Sequence, residues 1–145
     1  MYFLSRLGIT TTFCILFLNV VASEQDAKQA AQLRDAIQKQ DVEAVSNALQ
    51  SGAPAYFCVG HWLFGKQTCT NALNFAFTVY QRTGDSQLLN DVFKHMPTQE
   101  ALDLLNKKDS QDNRTPRQLF DQSQLAQGQK AEEFFGQYIR RIMSK

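Results

Sequence analysis

Two histidines are all the imidazole this chain carries, and neither His61 nor His95 stands in a nucleophile, phosphate-binding or metalloprotease motif. Charge of one sign is missing as well. Lys and Arg number 15 against 14 Asp and Glu, and removal of an N-terminal leader would take Arg6 and nothing acidic. The balanced remainder gives no long-range field to gather nucleic acid or an anionic membrane. Glutamines such as Gln25, Gln29, Gln32, Gln38 and Gln40 occupy surface that charges often fill. Strand signals are weak, with one candidate hairpin leaving at Ala55 to Phe57 and returning toward Cys69.

Long apolar runs are lacking too. Phe13 to Ala22 is a compact one, shorter than the roughly 20 apolar residues that span a bilayer. With Arg6 before it and the small residues Ala22 and Ser23 after it, the segment 1–23 reads as a cleaved export signal. Cys14 lies inside the run, away from the cleavage site, which argues against a lipid anchor. The expected mature protein is one domain over residues 24–145, periplasmic or secreted, with no stable membrane insertion.

Export leaves Cys58 and Cys69 in an oxidising compartment, where a pair tends to form a disulfide. The intervening segment contains Gly60 and Gly65 and would form a small closed ring. Cys58, His61 and Cys69, joined by a distant His95, are the zinc alternative, but they lack the paired spacing of common zinc modules. No metal or cofactor is expected. Asp109, Asp112 and Asn113 miss the spacing and the closing glutamate of a calcium loop and read as a solvated turn. His95 beside Lys94, and Arg140, Arg141 and Lys145 at the end of the chain, suit the negative ends of helices.

Elsewhere apolar residues recur at helical spacing. Leu33, Ala36 and Ile37 mark one helix, and Val42, Val45 and Leu49 a second. Asp41 is a cap between them, and Gly52 and Pro54 end the pair. Leu73, Ala76, Phe77 and Tyr80 precede Gly84; Ser86 can cap a segment with Leu88, Leu89, Val92 and Phe93 that Pro97 stops. Thr98 can cap a short helix with Ala101, Leu102, Leu104 and Leu105. After the polar stretch Lys107 to Arg114, Pro116 fits a first helical position. Past Gly128, the residues Ala131, Phe134, Phe135, Tyr138, Ile139 and Ile142 line a closing helix.

Asn71-Ala72-Leu73-Asn74-Phe75-Ala76 and Thr115-Pro116-Arg117-Gln118-Leu119-Phe120 lie 44 positions apart, as do Gly84 and Gly128. Both segments resemble the Thr-Pro-Leu-His-x-Ala opening of the ankyrin repeat. Leu33 to Ala53, with its Gly52-Ala53 ending, resembles a repeat of the same family. The resemblance implies an all-α fold of stacked helix-turn-helix pairs, an ankyrin-like solenoid with Gly52, Gly84 and Gly128 at equivalent turns. The interval exceeds the family's usual ~33 residues, and the disulfide-closed loop and residues 98–106 read as insertions.

Phe75, Phe77, Phe93, Phe120, Phe134 and Phe135 fall on helical stripes and are expected in the core. Tyr56, Trp62 and Phe64 lie in or beside the cysteine ring instead. Loops between helix pairs form the recognition surface of ankyrin-like proteins, so the resemblance implies that these three rings contact a protein partner. The alternative is that Trp62 and Phe64 fold back over a small core. The expected function is a monomeric, non-enzymatic protein-interaction module, of which a periplasmic inhibitor or immunity protein is a specialised form. A small secreted hydrolase or metal-dependent enzyme is the competing reading, with no catalytic residue assigned.

Overall fold

The first helix, α1, spans residues 24–38 and buries Ala30, Leu33, Ala36 and Ile37 along one face. The structure, a computed structural model, describes residues 24–60 and 65–143. The export signal expected over 1–23, together with His61, Trp62, Phe64, Lys145 and the side chains of Arg141 and Ile142, lies outside the described residues. No helix among the described residues is long and apolar enough to cross a membrane.

Local chemistry sets most of the helix ends. At the end of α1, Gln40 adopts φ +54° and Asp41 N–H donates to Ala36 O at 3.0 Å. The Asp41 carboxylate then accepts from Ala44 N at 3.0 Å and starts α2, Val42–Gln50. Asn71 caps α3, Ala72–Thr83, by accepting from Leu73 N, and Gly84 ends it at φ +73° with its amide on Tyr80 O. α4, Gln87–Phe93, departs from expectation because Ser86 makes no side-chain cap bond. The Asp85 carboxylate takes the Gln87 amide instead, at 2.9 Å. In α5, Thr98–Leu104, Pro97 holds the N-cap position and Thr98 is the first helical residue. α6, Pro116–Asp121, begins with a full capping box between Thr115 and Gln118. A 3-10 turn, Gln124–Ala126, leads to α7, Ala131–Met143.

The fold is mainly helical but not all-α. β1, Tyr56–Val59, pairs antiparallel with β2, Thr68–Asn71, in the register Tyr56 with Asn71 and Cys58 with Cys69. Aromatic and β-branched residues favour the pleat locally, and the Cys58–Cys69 disulfide ties the two strands where they face each other. That short cross-linked ribbon is what weak propensity signals understated.

Like packs on like. α2 lies against α4 and α4 against α7, while α3 lies against α6; within pairs, α3 contacts α4 and α6 contacts α7. One continuous core runs through all of them, from Leu33 and Val45 to Phe135 and Ile139. Its centre is aromatic: Phe77 has ring centroids 5.9 Å from Phe120, 5.8 Å from Phe134 and 5.5 Å from Phe135. Phe93 joins through Phe135, whereas Phe75 is only partly buried. The glycines are less alike than the resemblance implies. Gly84 and Gly128 fall between the two helices of their pairs, but Gly52 follows the second helix of its own.

Candidate functional site

The hairpin is built from two short strands that could not hold a conformation alone. Three devices hold it. The disulfide closes the loop across Cys58 and Cys69, 11 positions apart in sequence. At the loop's neck a Cβ on Gly60 would stand 2.5 Å from Lys66 O and 2.9 Å from Gln67 Cα, so the two legs approach as closely as they do only because Gly60 has no side chain. At the base, Ala72 N donates to Ala55 O at 2.8 Å and carries the ladder into α3.

The other edge of β2 is mounted on the polar segment after α5. Cys69 N donates to Ser110 Oγ at 2.8 Å, and Ser110 N donates to Cys69 O at 2.9 Å. Asn71 N donates to Asp109 Oδ2 at 2.8 Å, while the Asn71 amide donates to Leu104 O and Lys107 O. The Asp109 carboxylate also accepts from Gln111 N at 2.8 Å. One turn further, Asn74 Nδ2 donates to Asp112 and to Arg114 O, and Arg114 N donates back to Asp112 Oδ1. Segment 107–114 is thus a bracket, and Asp109 is buried rather than solvated. Each aspartate accepts the amide two residues ahead, an Asx-turn signal that Asp109 and Asp112 carry in the sequence.

Tyr56 stands at the base of the ring, as expected. Its hydroxyl donates toward Cys58 Sγ at 3.3 Å, and Lys107 Nζ lies 4.7 Å from its ring centroid. Sequence reasoning missed Lys107, since a cation–π partner 51 positions away leaves no local pattern. Trp62 and Phe64 fall between the two cysteines in sequence and lie outside the described residues. The cysteines of the zinc alternative are spent in the disulfide and cannot act as thiolates. Among the described residues no group of three His, Cys, Asp or Glu side chains could hold a metal ion. His95 is exposed just beyond α4.

No protein-family model matches the chain, and no curated protein or solved structure matches it.

Proposed function

We propose that the protein is an exported, non-enzymatic protein-interaction module built from ankyrin-like helix pairs, with the disulfide-closed hairpin as its recognition loop. One observation carries this reading: a covalently closed loop is fixed on a hydrogen-bonded bracket next to the helices. A loop ordered in advance loses less conformational freedom on binding, so more of its contact energy appears as affinity. Tyr56, Trp62 and Phe64 are its contacts, since Tyr and Trp offer large area at low entropic cost. The row α2, α4, α7 beside the row α3, α6 supports the stacked-pair architecture. A disulfide suits the periplasmic or secreted location that the leader sequence suggests.

The test begins with a pull-down by the mature protein under oxidising conditions, followed by Trp62→Ala and Phe64→Ala against the captured protein. Each is expected to weaken binding at least tenfold, an effect typical of an interface anchor, with thermal unfolding nearly unchanged. Phe134→Ala, in the buried aromatic cluster, should instead unfold early. Binding that survives both ring substitutions would move the recognition surface elsewhere.

A further inference from the structure

A groove of about 230 Å³ runs between the end of α1, the length of α3 and the bracket. Its floor is Ile37, Phe75 and Val79, and its rim carries Gln40, Arg82 and Gln111. The two ends differ in charge. Asp109 and Asp112 line one end, held by backbone amides and by Asn74. No ion pair among the described residues neutralises either carboxylate, and none engages Arg82 at the opposite end. Asn74, which grips Asp112, and Arg82 are eight positions apart on α3. Two turns of helix place them about 12 Å apart.

We propose that this groove binds an extended segment of a partner protein carrying a basic residue, an apolar residue and an acidic residue at alternate positions. An extended chain rises ~3.3 Å per residue and turns every second side chain to one face. Positions i and i+4 are therefore about 13 Å apart, close to the rise along α3 from Asn74, which holds Asp112, to Arg82, and i+2 falls between them at Phe75 and Val79. The basic side chain meets the part-buried Asp112, with the buried Asp109 behind it adding to the negative field, and its methylene stem lies along the apolar floor. The acidic one meets Arg82.

Gln40 supplies the second argument. Three other helix ends place glycine in the left-handed region, at Gly52, Gly84 and Gly128, whereas α1 places Gln40 there at φ +54°. A side chain in that conformation costs stability, and strain of this kind gathers at functional positions. Here the strained residue turns out to line the groove, where its amide can both donate to and accept from a peptide backbone.

The proposal goes beyond the hairpin reading and does not rest on it. The probe is the peptide acetyl-Lys-Ser-Leu-Ser-Glu-amide, titrated into the isotope-labelled mature protein and followed by backbone amide shifts. Shifts are expected at residues 37–40, 74–82 and 109–112, and to persist in Trp62→Ala. Arg82→Gln should weaken binding about fivefold, as for one partly exposed ion pair, and should add nothing further when the peptide's Glu is replaced by Gln. Gln40→Gly should raise Tm by about 2–4 °C while also weakening the peptide. Equal binding of a peptide with both charges replaced by Gln, shifts elsewhere at millimolar peptide, or unchanged affinity in Gln40→Gly would each overturn it.

Discussion

Asn71 does more than any other single side chain to place the hairpin. Its carbonyl oxygen accepts from Leu73 N and begins α3, while its amide nitrogen holds Leu104 O and Lys107 O. It is almost fully buried, so no water can replace those partners. Asn71→Ala is expected to cost about 2–4 kcal/mol, the sum of a lost cap and stranded carbonyls. Asn71→Ser should recover about 1 kcal/mol of that, because serine can still cap but cannot reach both carbonyls. Denaturant unfolding of the two variants distinguishes the roles; equal losses would mean that the cap contributes nothing and the two carbonyl bonds alone matter.

Between elements, polar side chains set the spacing that apolar packing leaves free. The buried carboxylate of Asp91 in α4 accepts from Ser46 Oγ at 2.7 Å and Gln50 Nε2 at 3.3 Å in α2, and from Gln87 at 3.1 Å. α6 is joined to α7 by the ion pair of Arg117 with Glu132, and Arg117 Nε also donates to Asn106 Oδ1 at 3.0 Å. Glu132 is held below the usual carboxylate range, first by backbone hydrogen bonding at the start of α7 and then by the Arg117 guanidinium. A carboxyl whose pKa is lower in the folded state than the ~4.3 of an unfolded glutamate stabilises the fold above that pH and ceases to as pH falls through its folded value. Both side chains are more than a third exposed, so Glu132→Gln should cost less than ~1 kcal/mol at pH 7. That difference should shrink toward zero in acid. A pH series of thermal melts on the two proteins checks the sign, and a gap that widens below pH 4 would refute it.

Across the whole molecule the hairpin and the aromatic core are two different kinds of constraint. A ring of this size restricts the unfolded chain by up to about 3 kcal/mol, and its disulfide lies at the edge of the helical stack. Phe120 is fully buried, with its ring near those of Phe77, Phe134 and Phe135. Phe120→Ala should therefore cost about 3–5 kcal/mol and unfold all helices together. Reduction of the disulfide should leave the helical circular dichroism intact while hydrogen exchange accelerates at 56–71. Helix loss on reduction would show instead that the bracket cannot stand without the ring.

The helices were legible from Leu33 to Tyr138 because each carries its own evidence: an apolar stripe at helical period, and a cap or a breaker at the end. Asp41, Gly84, Thr115 and Pro116 act through neighbours within a few positions, which a sequence displays directly. Cys58 and Cys69, the two cysteines that follow the leader-like segment 1–23, made the cross-link legible as well. What only tertiary structure decided are contacts between residues far apart in sequence. Ser110 against Cys69, Asp109 against Asn71, Lys107 against Tyr56 and Asp91 against Ser46 have no shared local pattern. The strands depended on such contacts for their existence, since four residues gain too little from propensity to pair without a cross-link and a mount. The bipolar groove belongs to the same class, because the charge of Asp112 and that of Arg82 acquire a common direction only when α3 is wound and the bracket is laid against it.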